Sequence, residues 1–283
     1  MRTKSSPQRS SSERALTLGL MAKDLSTAIR DALLTGAPRA KLMATRKLVR
    51  DWRLGRLPTG FSATMPDHPV WPDRLEVLPP GQMPRRGKGG SARSRVALWH
   101  SLAHIEFVAI DLALDMVGRF GAQMGEEFTA DFLAVAADEA MHFAIIERHL
   151  AGMGAHYGDL PVHDGLWQAA QETAHDVGAR LAIVPMVLEA RGLDVTPAAF
   201  ERVRAQGDER GARILQRILD DEIVHVGAGT KHFHVHCSNS DRHPQNHWQT
   251  LVNRHFRGRV KPPFNDSARL AAGLSRDFYD PIA

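Results

Sequence analysis

The sequence predicts an all-α chain: a four-helix bundle preceded by a helical, proline-rich extension and followed by a helical tail. Two observations carry this. Apolar residues recur three and four apart through long segments, and no stretch alternates with period two. Two of those segments also carry one short motif, Asp138-Glu139-Ala140-Met141-His142 and Asp221-Glu222-Ile223-Val224-His225. On a helix its Glu and His, three apart, share a face.

Helical spacing runs from Arg14 to Leu34 and from Ala40 to Leu54, broken at Gly36-Ala37-Pro38. From Gly55 to Arg95 prolines recur, ending in the basic run Arg85-Arg86-Gly87-Lys88-Gly89-Gly90. No helix or central strand tolerates that composition. Trp71, Leu75, Val77 and Leu78 give the segment something to bury, so it reads as a strap across the bundle. Four long helices are then expected: Val96 to Phe120, Phe128 to Met153, Leu166 to Arg191, and Glu209 to about His236. Thr196-Pro197 reads as an N-cap with proline at the first helical position, opening a short helix to Gln206. Pro185, Gly192 and Pro197 together predict an interruption near Glu189. Helical tail segments follow at Gln245 to Phe256 and Asp266 to Leu274. The resulting units are 1–95 (helices and strap), 96–237 (bundle) and 238–283 (an extension packed on the bundle).

The 283 residues suffice for a large buried core. No apolar run approaches the roughly 18 residues of a membrane span. Met1 to Ser12 is rich in Arg and Ser, but the short apolar stretch behind it meets Lys23 and Asp24, so it reads as a tail rather than a secretory signal. The single cysteine, Cys237, excludes an internal disulfide framework and points to a cytoplasmic setting. The net charge of +4 permits an acidic partner without demanding one.

A lone E-x-x-H is weak evidence, because a solvated polar face produces it too. The neighbours oppose that reading. Glu139 is flanked at helical offsets by Val135, Ala136, Phe143 and Ile146, and Glu222 by Ile218, Leu219 and Val226. Glu106 and Glu189 sit in similar apolar stripes, the first with Leu102, Ala103 and Ile110, the second with Ala182, Pro185 and Met186. Buried carboxylates need partners. One Glu on each of four helices, with two adding His three residues on, is the ligand set of dinuclear carboxylate bundles. Spacing agrees: Glu106 to Glu139 and Glu189 to Glu222 are each 33 residues. Their midpoints fall at Ala122-Gln123 and Ala205-Gln206, beside glycines where hairpins should turn. The bundle therefore reads as two copies of one hairpin. Glu106 and His142 are expected on one metal, Glu189 and His225 on the other, with Glu139 and Glu222 between them. Four ionised glutamates balance two divalent ions, and carboxylates with one imidazole per ion suit iron, with manganese the alternative.

The stretch from about His100 to His236 resembles the ferritin-like family catalogued as domain of unknown function 455. The marks are Ala103-His104-Ile105-Glu106, the two D-E-x-x-H motifs, Pro161 to Trp167, Glu189-Ala190-Arg191-Gly192-Leu193-Asp194, and the tail Phe256-Arg257-Gly258 through Pro262-Pro263-Phe264-Asn265. Met141 departs from the arginine expected there, without touching a ligand. That family is distantly similar to the di-iron hydroxylase acting on a hypermodified tRNA adenosine. The resemblance implies a ferritin-like fold and a dinuclear site at the six residues, and supplies no substrate.

The resulting expectation is an O₂-activating di-iron oxidoreductase, a hydroxylase of a small molecule or modified nucleoside, fed by an external electron donor. The alternative is an iron-handling or peroxide-scavenging protein. The long decorations favour a monomer or dimer with a covered pocket over a storage cage. Tyr157 and Tyr279 lie outside the four helices, which disfavours a radical-generating subunit. Asp138 and Asp221, each preceding a ligand Glu, are placed to bond an imidazole on the neighbouring helix. His104 is read as a packing residue beside the site, and His175, 14 residues before Glu189, as sharing its face. His232, His234 and His236 are read as a polar helix end, and Asp164 as a cap. Arg254 to Lys261 and Arg85 to Lys88 could contact nucleic-acid phosphates, although a solvated surface explains them as well.

Overall fold

The structure, a computed structural model, describes residues 23–84 and 90–283. Residues 14–22 of the first expected helix, the N-terminal Arg- and Ser-rich tail and the Arg85–Lys88 run lie outside the described residues. Within them the chain is helical, joined by turns and one extended strap. No described helix is long and apolar enough to cross a membrane.

Two short helices, α1 (Leu25–Leu33) and α2 (Pro38–Arg53), come first. The bundle follows as α3 (Ala92–Met124), α4 (Glu126–Ala151), α5 (Gly165–Glu172), α6 (Val177–Ile183), a π-turn (Val184–Glu189), α7 (Ala190–Ala205) and α8 (Glu209–Asn239). The tail holds α9 (Pro244–His255), α10 (Asp266–Ala271) and α11 (Arg276–Tyr279). The most extensive pairings are α3 with α4 and α7 with α8, the two hairpins, and α4 packs on α8 to join them. The first hairpin turns on Gly125 alone, whose φ of 90° is easy only for glycine. The second turns at Gly207, φ 78°.

The strap is tied to α1 and to the loop after α4 by backbone bonds. Leu25 and Ser26 donate backbone N–H groups to Pro58 and Gly60, and Val70 donates to Leu33. Met65 and Leu75 are buried, and Trp71 is half-buried. Val77 is exposed, but the backbone there pairs with the 157–164 loop: Leu78 N–H donates to Val162 and Val162 N–H to Glu76. The strap is thereby held to the segment Pro161 to Trp167.

Proline chemistry interrupts the third helical segment of the bundle near Glu189, as expected, but acts differently at Pro197. Pro185 has no N–H and clashes with the preceding turn, so the ladder slips into the π-turn that ends on Glu189. At Thr196-Pro197 no new helix begins. Pro197 lies inside α7, because the carbonyl it leaves without a donor, Leu193 O, accepts instead from Asn265 Nδ2 at 3.1 Å.

Gly229 on α8 sits directly under the Pro185 ring. In a helix interior alanine is worth about 1 kcal/mol more than glycine. A Cβ at Gly229 would overlap the Pro185 side chain, and overpacking costs about 1–3 kcal/mol. At Gly227 the nearest atom to such a Cβ is 3.9 Å away. Gly227→Ala is therefore expected to raise the denaturation midpoint and Gly229→Ala to lower it, as read by urea titration. A rise for both would mean the π-turn yields freely.

Candidate metal centre

The six side chains expected at a metal come from four helical segments. Glu106 comes from α3, Glu139 and His142 from α4, Glu189 from the end of the π-turn, and Glu222 and His225 from α8. Ligand atoms of Glu106, Glu139, His142 and Glu222 lie within 4.8 Å of one another. His142 Nδ1 is 3.3 Å from Glu106 Oε2 and 3.4 Å from Glu139 Oε2. His225 Nδ1 is 3.0 Å from Glu139 Oε1 and 3.8 Å from Glu222 Oε2. Glu139 thus turns one oxygen to each histidine. Glu189 approaches from the opposite helix, where its charge meets those of Glu222 and Glu139.

The outer nitrogen of each ring faces an aspartate, and that of His142 is bonded to it. His142 Nε2–H donates to Asp221 Oδ2 at 3.0 Å. His225 Nε2 lies 3.5 Å from Asp138 Oδ2. Each aspartate stands on the helix opposite its histidine, so the two contacts cross-link α4 and α8. Such a carboxylate fixes the ring and its tautomer and leaves the Nδ1 lone pair facing inward.

The electrostatics test whether these residues fit a metal. Burial pushes Glu106, Glu189 and Glu222 above the ordinary carboxylate range, and the Glu139 charge adds to this. Burial acts on Glu139 in the same direction, but the His142 and His225 rings close beside its two oxygens outweigh it and hold Glu139 below that range. Burial would lower His142, yet Glu106 and Glu139 raise it to about 11. His225 is raised well above its usual value by Asp138, Glu139 and Glu222 against the same desolvation. Buried Glu106 Oε2, both Glu139 oxygens, His142 Nδ1, Glu189 Oε2, Glu222 Oε2 and His225 Nδ1 all lack a hydrogen-bond partner. Buried polar atoms rarely go unpaired, and the group formed by Glu106, Glu139, His142 and Glu222 could hold a metal ion.

Other residues singled out from the sequence fall elsewhere. His104 Nδ1 accepts from the Tyr157 hydroxyl at 2.9 Å, and its Nε2–H donates to the His163 carbonyl at 3.0 Å. Burial lowers His104 to about 4, so it is a neutral packing residue. His175 is a correction. The chain leaves helix between α5 and α6, so the 14-residue phase to Glu189 is broken, and His175 is exposed beside His255. Asp164 stands at the α5 N-cap but makes no capping bond, facing His68 instead. His232 is buried and bonds Asp131 at 2.8 Å. In the basic tail segment Arg257 pairs with Glu172.

Two contacts escaped the sequence reading. Arg217 Nε donates to Asp221 at 2.5 Å, and the i, i+4 spacing on α8 was the available signal. Tyr157, in the loop after α4, inserts its ring between Phe107 and Phe143, beside Glu106 and His142 in sequence. Nothing local marks that insertion.

The tail motif meets the Glu189 motif in space. Arg191 Nη1 donates to the carbonyls of Lys261 and Pro263, and Asp194 takes a two-pronged bond from Arg269 and the N–H of Asn265. A protein of Haemophilus influenzae (strain ATCC 51907 / DSM 11121 / KW20 / Rd), described as "Uncharacterized protein", is 34% identical over 267 residues, 89% of this chain and 91% of that one. No solved structure matches the chain. Residues 34–280, strap, bundle and tail alike, match the family described as "Protein of unknown function (DUF455)", and the chain belongs to that family.

Proposed function

We propose that the chain holds two iron ions at these six residues and is an O₂-activating oxidoreductase that hydroxylates an organic substrate. The carrying observation is the convergence of Glu106, Glu139, His142 and Glu222, with His225 against Glu139 and an aspartate behind each imidazole. Glu106 and His142 would hold one ion, Glu189 and His225 the other. Glu139, in contact with both rings, and Glu222 would lie between them. The chemistry that a bound ferrous pair supplies is reduction of O₂. Asp221 and Asp138 keep the rings aimed, and buried Ala103, Ile110, Ala136, Met186 and Ile218 on the same helices exclude water. Manganese suits the same donors.

Metal analysis of anaerobically purified protein, followed by O₂ exposure with optical monitoring, tests the reading. Wild type is expected to bind about two irons per chain and to turn diferric. Glu222→Ala is expected to lose that reaction and remain helical, since apolar stripes hold the bundle. Aerobic loading far above two irons per chain, in a large assembly, would instead establish an iron store.

A further inference from the structure

The face of the bundle between α4 and α8 is built unlike the rest of the metal centre's surroundings. Here both histidines turn their outer nitrogens, to Asp221 and Asp138. Those carboxylates reach solvent, with side chains 20% and 45% exposed, so one residue separates each buried ring from water. Further along the same groove four exposed arginines, Arg148 on α4 and Arg210, Arg213 and Arg217 on α8, surround a hollow of about 220 Å³ floored by Ile145 and Ile214. Among the described residues, only Arg217 of these four has an ion-pair partner, Asp221. Arg210, Arg213, Arg217 and Val224 fall at i, i+3, i+7 and i+14, one stripe of the helix, and Val224 is 67% exposed. The remaining carboxylate on the stripe, Asp220, is bonded by Gln216.

We propose that this groove docks a small acidic electron-carrier protein, which rests on the reading of the centre as an iron site needing an outside reductant. The chain has one cysteine and cannot itself hold a four-cysteine cluster. Electron transfer weakens steeply with distance, and the Arg217–Asp221–His142 chain is a short bonded route from this surface to a ligand. Unpaired cations around an exposed apolar spot match the charged rim and apolar centre of a protein interface. A nucleic-acid backbone would leave Val224 and Ile145 unburied, and no aromatic residue lines the hollow to stack a base. Each encounter oxidises the carrier's iron–sulfur cluster by one electron and reduces the iron pair by one. Two encounters, with two protons, accompany each O₂: one oxygen atom enters the substrate and the other leaves as water.

The experiment uses iron-loaded full-length protein and a plant-type [2Fe–2S] ferredoxin, with an acidic flavodoxin as second carrier. Calorimetric titration at low salt reads docking, and stopped-flow absorbance reads reduction of the diferric site. Arg148→Glu/Arg213→Glu is expected to lower affinity and second-order reduction rate at least about tenfold, and raising salt should bring wild type toward the variant. Reduction by dithionite and the melting temperature should stay unchanged. Docking that the variant weakens, without any electron transfer, would support the surface and overturn the redox reading of the centre. Failure of wild type to bind either carrier, equal binding by the variant, or tighter binding of a uridine 20-mer lost in the variant would each overturn the proposal.

Discussion

Glu139→Ala is expected to lower the affinity for ferrous iron by well over 100-fold, the largest loss of any single substitution at the centre. Glu139 is the carboxylate that contacts both histidines, one oxygen to each, and neither oxygen has another partner. On the proposed reading its removal would take a donor from both ions at once. Asp221→Ala provides the scale: it leaves His142 in place without its backing, and loss of such an outer partner costs roughly 10–100-fold. Anaerobic competition with a coloured chelator reads both values. If Glu139→Ala lost no more than Asp221→Ala, Glu139 would not be a shared ligand. Circular dichroism should stay helical in both, since Ala136, Ala140 and Phe143 keep α4 packed.

Asp111→Ala is expected to cost about 3–5 kcal/mol of folding stability, the penalty for stranding a buried charge. Lys41 Nζ on α2 bonds Asp111 Oδ1 on α3 at 2.6 Å, and both side chains are wholly buried. The pair closes with Lys41 to the Val70 carbonyl and the Trp71 indole N–H to Asp111 Oδ2. It therefore pins helix, strap and bundle at one place. Burial lifts Asp111 to about 6 and lowers Lys41, each opposed by the other's charge. Removing the carboxylate leaves an ammonium in a fully buried site. For a chain of this size the loss corresponds to a melting temperature lower by on the order of 10 °C. Lys41→Met combined with Asp111→Leu removes both charges and should recover most of the loss. If the double variant melts no higher than Asp111→Ala, packing rather than the stranded charge sets the cost.

The centre was legible because its constraints are short-range and repeated. Glu139 with His142, and Glu222 with His225, lie within single helical turns, and the 33-residue spacing relates one hairpin to the other. The helix types followed from apolar periodicity. What stayed hidden depends on contacts made far along the chain. Nothing near Lys41 in sequence marks it as buried; its partner Asp111 is 70 residues away. Pro197 read as a helix start, because nothing local announces that Asn265 will bond Leu193 O. His175 was misplaced for the converse reason: its phase to Glu189 assumed unbroken helix, whereas α5 ends at Glu172 and α6 begins only at Val177. The first hairpin turn was legible as well: it falls on Gly125, a glycine beside the Ala122-Gln123 midpoint, where a positive-φ residue reverses the chain after Met124.

The bond from Asn265 to Leu193 O has a meaning for the order in which the molecule is made. Synthesis proceeds from the N-terminus, so both helices of the first hairpin leave the ribosome before the second begins. Glu106, Glu139 and His142 can settle at that point. The helix behind Glu189 cannot, since its proline-freed carbonyl and the Asp194 carboxylate wait for Asn265 and Arg269, more than 70 residues downstream. A nascent chain therefore carries a half-built centre until nearly all of it has been translated. Ribosome-arrested chains ending before residue 260 should show the first hairpin protected from proteolysis and α7 still open to it.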